Sequence, residues 1–274
     1  AETLEDLGTQ GIGPTHPELL DYLAYRIMHD WQWSLKQTLK YLVMSSTYRQ
    51  ASKQQAEDAG KDPFNRYYAR GPRARLTAEQ IRDQHLAISG LLSTKMYGPG
   101  VMPWQPEGIW LSPYNGATWQ NSTGEDQYRR AIYTYWKRTA PYPSMMTFDG
   151  AQRVVCNARR IATNTPLQAL VTLNDSAYLD MARHFAYRML QKVPQGAAAQ
   201  IAAGYRMMMY RDIAPNKQAA LLRLYQKALQ QYRQDPDAAC QIAGEVNRHS
   251  SAATSALIVV ANAMLNLDEV IMKN

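Results

Sequence analysis

The sequence has few cysteines and no long hydrophobic run, and each shortage excludes a class of protein. Its 274 residues include only 2 Cys, so that Cys156 and Cys240 allow at most one bridge and no disulfide framework. No apolar stretch reaches about 18 residues, which excludes a transmembrane helix. Haem-attachment CxxCH and paired CxxC zinc motifs are missing from the sequence. We therefore expect no membrane span, no cofactor and no metal in this chain.

Phenylalanine is also scarce, whereas the other aromatic residues are abundant. The chain has 3 Phe against 18 Tyr and 6 Trp. Aromatic rings with a polar tip suit half-buried, wet positions such as interfaces and sugar-binding surfaces. The net charge of +7 favours acidic partners. Its basic residues are spread out and accompany no recognised nucleic-acid motif, so we expect no nucleic-acid partner.

Helical periodicity and helix-start signals recur along the chain. Capping boxes at Thr15, Ser34 and Thr77 each precede an apolar pattern of helical spacing. Beyond the break at Pro194 the pattern is almost entirely helical. The sequence predicts a mainly α protein, an irregular multi-helix domain with long ordered loops and a small β element. We expect a core of residues 1–194 with an aromatic loop insertion, and a helical C-terminal subdomain of residues 195–274 packed on it.

The aromatic loop insertion covers residues 98–146, which are dense in Gly, Pro and aromatic residues. Long loops inside a compact domain are often functional. The best strand candidate of the chain, Ala131 to Lys137, lies here and favours extended structure. Five aromatic residues could line a groove for a sugar or could pack into a small core of their own: Trp104, Trp110, Tyr114, Trp119 and Trp136.

Residues 148–175, FDGAQRVVCNARRIATNTPLQALVTLND, hold the candidate site. A helix from Gln152 to Ile161 would place Arg153, Cys156 and Arg160 on one face. Thr165, Pro166 and Gln168 mark a second helix start, whose free N–H groups beside Arg159 and Arg160 could hold a carboxylate or sulfate. Alternatively, the arginines pair internally with Asp149 and Asp175 and tie two helices together.

Two functions follow from this segment. In a binding domain, the ligand-binding residues would be Arg153, Arg159, Arg160, Asn164, Thr165, Trp136 and His16. In an enzyme acting on a carbohydrate or another anionic substrate, Asp149 would be the catalytic acid or base, with the arginines as an anion clamp. No two carboxylates show the diagnostic spacing of a glycoside hydrolase. A purely structural domain is a third possibility.

Seven motifs, taken in order, resemble those of the planctomycete cytochrome-associated C-terminal domain of unknown function. They are PTHPELLDYLA, WSLKQTLKYLVMSSTYRQAS, DPFNRYYAR, RLTAEQIRDQHLAISGLL, YGPGVMP, the segment 148–175 and ANAMLNLDEVI. The resemblance spans nearly the whole chain. Two departures are the missing Asn-Arg-x-Trp-like helix, which usually precedes the first motif, and the missing haem domain.

Members of that family are typically large exported bacterial proteins, often with a c-type cytochrome domain and a second uncharacterised domain upstream. The resemblance implies a location outside the cytoplasm, in the periplasm or at the cell surface, and neighbours in redox or polysaccharide-processing systems. It transfers no catalytic residue and no electron-transfer role. We therefore expect an extracytoplasmic binding or assembly domain that partners the upstream cytochrome and companion domains and holds a glycan or anionic ligand. The enzyme remains the alternative.

Overall fold

The computed structural model describes residues 8–52, 60–110, 118–151, 153, 160–244 and 251–273. Within these ranges the protein is mainly α with one small antiparallel sheet, which confirms the predicted fold class. No helix in the described ranges is both long and apolar enough to span a membrane. The helices are α1 (Pro17–Tyr25), α2 (Leu35–Met44), α3 (Ala78–Ser89), α4 (Pro143–Thr147), α5 (Pro166–Asn174), α6 (Ser176–Lys192), α7 (Ala197–Met209), α8 (Pro215–Gln234), α9 (Pro236–Ala243), α10 (Ala252–Leu265) and α11 (Asp268–Ile271).

Several helices begin where the sequence predicts. The Ser34 hydroxyl accepts a hydrogen bond from the backbone N–H three residues later at 3.4 Å, and Thr77 forms a complete capping box. The box predicted at Thr15 is wrong, because α1 starts after His16 and has no side-chain cap. The Thr15 hydroxyl instead lies 2.9 Å from Nδ1 of His16, so it is engaged away from the helix start.

The chain forms two compact units. Unit 1 comprises residues 1–75, 156–160 and 272–274, and contains α1, α2 and the sheet. In that sheet, β1 (Ala74–Arg75) runs antiparallel to β2 (Met272–Lys273). Unit 2 comprises residues 76–155 and 161–271 and contains α3 to α11. The predicted boundary after residue 194 falls inside unit 2, and the helical C-terminal subdomain of residues 195–274 stays a prediction.

The core of unit 2 forms around α6 and α10. Four apolar residues of α6 that the sequence assigns to the core are buried: Tyr178, Met181, Phe185 and Met189. Helix α7 approaches α6 closely at Gly204, where an added Cβ would lie only 2.8 Å from the Met189 sulfur. Because real Cβ contacts are longer than this, glycine is required there by space and not by backbone conformation.

The small β element does not lie where the sequence placed it. Ala131–Tyr133 forms a short 3₁₀ turn and not a strand, and Thr134 makes only an isolated parallel bridge with Val101. An aspartate explains the turn, because the Oδ1 atom of Asp83 accepts the Ala131 N–H at 2.6 Å. With its N–H bound by a side chain, Ala131 cannot donate to a strand ladder.

The motif YGPG is held by a buried arginine. Arg129 is 2% exposed, and its guanidinium donates to the carbonyls of Lys95 at 3.3 Å, Tyr97 at 2.5 Å and Pro99 at 3.3 Å. The Tyr133 ring covers the guanidinium, with 3.8 Å from the Arg129 Cζ to the ring centroid. Arg129 therefore satisfies carbonyls that no helix or sheet pairs.

Candidate functional site

Asp149 is held by hydrogen bonds inside segment 148–175. Its carboxylate accepts the Thr163 backbone N–H at 2.7 Å and the Thr163 hydroxyl at 2.9 Å. The Gln168 amide lies 3.4 Å from the same carboxylate. Asp149 has a positive φ of 59°, a conformation that Asp tolerates better than most residues. The carboxylate thus closes a turn onto the start of α5.

Gln168 joins this turn to the neighbouring helix. It is 1% exposed, and its Nε2 lies 3.0 Å from the Thr147 carbonyl and 3.1 Å from the Thr163 hydroxyl. Its Oε1 accepts the Thr165 N–H at 3.5 Å. Gln168 thus binds back to the residue that precedes the predicted helix. One amide therefore connects the end of α4, the Asp149 turn and the beginning of α5.

The structure brings two of the predicted ligand-binding residues together. The guanidinium carbon of Arg153 lies 5.1 Å from the centre of the Trp136 ring, within cation–π range. Arg153 is exposed and has a positive φ of 58°. A cation stacked on an indole offers an anion both a charge and an apolar surface.

The remaining predicted ligand-binding residues belong to different units or lie outside the described residues. Asn164 and Thr165 are exposed near the start of α5. His16 and Arg160 belong to unit 1, where His16 stacks on Tyr68 with 4.9 Å between ring centroids. Arg159, Cys156 and most of the predicted helix Gln152 to Ile161 lie outside the described residues. The ligand-binding role of all these residues stays a prediction.

The aromatic loops form a packed cluster. Trp110 meets Trp119 edge-on at 5.2 Å between ring centroids, and Trp119 stacks on Tyr142 at 5.9 Å. Their polar atoms donate to backbone carbonyls, Trp110 to Ala140 at 3.2 Å and Tyr142 to Trp104 at 2.7 Å. These contacts favour the small aromatic core over the sugar groove. Tyr114 lies outside the described residues.

A cleft of about 190 Å³ opens in unit 2, where segment 148–175 ends. The first turn of α6 borders it, and Asp175 caps that helix by accepting the Ala177 N–H at 2.9 Å. Burial raises the pKa of the Asp175 carboxyl. The cleft is lined by Arg82, Pro103, Trp104, Gln127, Tyr128, Ser176, Ala177, Asp180, Met181 and Arg183.

Arg82 is the unusual member of this lining. It is 4% exposed, and among the described residues its guanidinium makes one hydrogen bond, from Nη2 to the Gln127 carbonyl at 2.8 Å. Its Nε is sealed from solvent without a partner, and no described carboxylate lies within ion-pair distance. A buried cationic side chain normally pairs with a carboxylate, or its pKa shifts and it becomes neutral. An arginine cannot lose its proton in a protein, so Arg82 is a buried charge with no ion pair in the described part of the chain. Its charge acts through space on the Asp175 carboxyl, where it opposes the rise in pKa that burial causes.

On α6, Asp180 and Arg183 complete the polar lining. Tyr128 donates its hydroxyl to Oδ2 of Asp180 at 3.1 Å, and His184 Nδ1 lies 3.4 Å from Oδ1. Burial, followed by the charge of Asp180, raises the pKa of Tyr128 to about 12. The hydrogen bond to Asp180 raises the pKa of His184. The carboxylate is thus already shared by two donors, whereas Arg183 donates to the Ile242 carbonyl at 2.6 Å.

Sequence reasoning missed this cleft. It did not single out Arg82, Tyr128, Asp180 or Arg183 as candidate site residues. A signal was present, because Arg82 shares the buried face of α3 with Ala78, His85 and Ser89. A charged residue on the apolar face of a predicted helix needs a partner. The residues that meet it come from a loop and from α6, and no local pattern predicts that approach.

The comparisons with known proteins give one family. A family model described as "Protein of unknown function (DUF1553)" matches residues 1–225. Comparison with curated proteins and with solved structures gave no match.

Proposed function

The chain belongs to the family described as protein of unknown function (DUF1553), and we propose that it serves there as a binding domain for an anionic ligand. The ligand's negative charge lies in the cleft beside Arg82. One observation carries the proposal: Arg82 is buried, permanently charged and in ion-pair contact with no carboxylate of the described residues. A bound anion would give its guanidinium a counter-ion in direct contact.

The surroundings of Arg82 support binding over catalysis. The one carboxylate that lines the cleft, Asp180, already accepts from Tyr128 and lies beside His184. A general acid or base needs a pKa near the working pH. The pKa of Asp180 is instead held below its usual value, because the hydrogen bonds from His184 and Tyr128 outweigh the opposing effect of burial.

The test is a titration of the isotopically labelled protein with acetate, sulfate and acidic oligosaccharides, followed by NMR. We expect saturable shifts at the backbone amides of residues 176–180 and 127–128. Arg82→Gln should abolish them, while Arg206→Gln, an exposed arginine paired with Asp212, should leave them unchanged. Equal shifts in wild type and Arg82→Gln would contradict the proposal.

We also propose that the domain works outside the cytoplasm, beside a c-type cytochrome module. The support is the resemblance of its motifs to cytochrome-associated domains, together with the net charge of +7, which suits an acidic partner. In this arrangement the anion-binding domain places a ligand near a redox module, and the chain itself carries no haem motif.

Co-expression tests this association. The chain and a c-type cytochrome domain of the kind that accompanies the domains it resembles should co-elute in size-exclusion chromatography, with haem absorbance in the shared peak. The association should weaken with salt, because exposed charges are screened. Separate elution at low ionic strength would count against a partner of this kind.

An enzyme acting on a carbohydrate or another anionic substrate is the second candidate. It is favoured by the position of Asp149 beside the start of α5 and by the exposed Arg153 guanidinium that lies over Trp136 in the same segment. Asp149 would be the acid or base and Arg153 part of the clamp. The candidate requires that Asp149→Asn abolish turnover without changing the fold.

A further inference from the structure

We propose that α1 and α2 form the contact surface between two copies of this chain. Both helices carry apolar residues at helical spacing, yet neither contains a buried residue. Among the described residues of unit 1, Trp31 is the one apolar side chain that is buried. Helices shorter than about 12 residues are marginal in water and owe their stability in proteins to the packing of an apolar face. A second copy of the chain supplies that packing.

The exposed apolar surface of these helices is large enough for a stable dimer. Twelve large apolar or aromatic residues between positions 19 and 44 are 38–77% exposed. They are Leu19, Leu20, Tyr22, Tyr25, Met28, Trp33, Leu35, Leu39, Tyr41, Leu42, Val43 and Met44. With about 100 Å² accessible on each, they offer on the order of 1,000 Å² per copy. A standard interface buries roughly 800 Å² per partner, so the surface suffices even when part of it lies outside the contact.

A cluster of side chains joins the two helices into one surface. The guanidinium carbon of Arg26 lies 5.3 Å from the centre of the Trp31 ring and 6.0 Å from that of the Tyr41 ring. The Tyr41 hydroxyl donates to the Tyr22 hydroxyl at 3.4 Å. Because these contacts already fix α1 and α2 to each other, less conformational freedom is lost when a second copy binds.

The charges of the two helices determine how the copies pair. The exposed residues Glu18 and Asp21 make the first half of α1 acidic, whereas the exposed residues Lys36 and Lys40 make α2 basic. A two-fold dimer presents the same surface on both copies. When α1 of one copy lies along α2 of the other, opposite charges meet twice. A contact of α2 with α2 would instead gather four lysines, and like charges across an interface are repelled.

Size-exclusion chromatography with light scattering tests the dimer over a range of protein concentrations. A reducing agent is included so that the exposed Cys240 cannot link two copies. We expect a mass of twice the 31.1 kDa of one chain. Leu35→Lys combined with Leu39→Lys should give the monomer, because the contact would bury unpaired charges. Leu170→Lys, at an exposed leucine of α5, is the matched control and should leave the dimer intact.

Charge reversal tests the pairing of α1 with α2. One variant carries Lys36→Glu and Lys40→Glu, and the other carries Glu18→Lys and Asp21→Lys. Each variant alone should dimerise about tenfold more weakly or less, because its two helices then have the same sign of charge. An equimolar mixture should form a heterodimer as tight as the wild-type dimer. Lys227→Glu, at an exposed position of α8, is the control and should leave dimerisation unchanged.

Three outcomes would overturn the proposal in whole or in part. A wild-type chain that is monomeric at every concentration shows that a second copy does not cover α1 and α2. A dimer that survives the two leucine substitutions in α2 but is lost in Leu170→Lys has its interface on α5. If the leucine substitutions abolish the dimer but the mixed charge variants do not recover it, the assigned pairing of α1 with α2 is wrong. Circular dichroism checks that each variant is folded.

Discussion

The side-chain amide of Gln168 lies 3.0 Å from the backbone carbonyl of Thr147, across 21 positions of sequence. This hydrogen bond connects α4 to α5 in a site that is 1% exposed at Gln168. Gln168→Glu would replace the donor by a carboxylate that faces this carbonyl and the Asp149 carboxylate. We expect a loss of about 3 kcal/mol or more in the free energy of unfolding, measured by urea denaturation.

Gln226→Glu is the control for this substitution. Gln226 is exposed on α8, and surface changes of this type usually stay within about 0.5 kcal/mol. If Gln168→Glu is equally mild, the amide does not hold the turn and the carbonyl of Thr147 is satisfied in another way.

His85 makes stability depend on pH. Burial lowers the pKa of His85 to about 4, and its Nδ1 donates to the Ile81 carbonyl at 2.7 Å. In the unfolded chain the His85 imidazole binds a proton below about pH 6.5. In the folded chain it stays neutral until the pH approaches 4. The stabilising contribution is therefore complete above pH 6.5 and is lost as the pH falls towards 4. We expect a decrease of roughly 3 kcal/mol over this range, and a clearly smaller decrease in His85→Phe.

His184 should behave in the opposite way and is the internal comparison. The hydrogen bond to Asp180 raises its pKa, so its contribution is present below about pH 6.5 and is lost as the pH rises through the folded value. His184→Gln should therefore cost more stability at pH 5.5 than at pH 9. If the stability cost of the His85 and His184 substitutions changes with pH in the same direction, one of the two assigned signs is wrong.

Arg129→Lys tests the arginine that binds the YGPG carbonyls. A lysine has one nitrogen and cannot reach the carbonyls of Lys95, Tyr97 and Pro99 together. Buried carbonyls left unpaired cost about 1–3 kcal/mol each, so we expect a loss of roughly 3 kcal/mol and faster amide exchange in residues 95–101. Arg130→Lys, at an exposed ion pair with Asp83, should cost less than about 1 kcal/mol. Equal effects of the two substitutions would contradict the role of Arg129.

Asp149→Asn separates the structural role from the catalytic one. Asn tolerates the positive φ of Asp149 as well as Asp does, so the backbone should be unaffected. The amide loses one acceptor for the Thr163 donors, and we expect a loss of about 1–2 kcal/mol in stability. Binding in the Arg82 cleft should change less than twofold in titration. A complete loss of a measured turnover, with unchanged stability, would instead favour the enzyme.

The sequence predicted helices well because their signals are local. Ser34 and Thr77 start helices as expected, since a cap acts within three residues. Ala131 was misassigned because β propensity reflects packing and pairing, and its N–H is taken by Asp83, which is 48 positions away.

The candidate site also shows that contacts between distant parts of the sequence cannot be predicted from local patterns. Within residues 148–175, Asp149, Thr163 and Gln168 are joined by hydrogen bonds, and Arg153 lies over Trp136, but their role as a site stays a prediction. The cleft beside Arg82 was missed because its lining is assembled from α3, two loops and α6. A buried arginine can be suspected from a helical pattern, but whether a carboxylate comes within ion-pair distance of it depends on the three-dimensional packing.

The close approach of α7 to α6 at Gly204 has a chemical consequence for Met189. The thioether is fully buried and lies so close to Gly204 that a Cβ added there would be only 2.8 Å from the sulfur. Peroxide can therefore convert Met189 to its sulfoxide only while the two helices are apart. The sulfoxide would then prevent them from closing again, because a polar group would occupy the core. The fraction of Met189 sulfoxide, measured by mass spectrometry after mild oxidation, would therefore report how many molecules have opened since the peroxide was added. Equilibrium spectroscopy reports only the molecules that are open at the time of measurement.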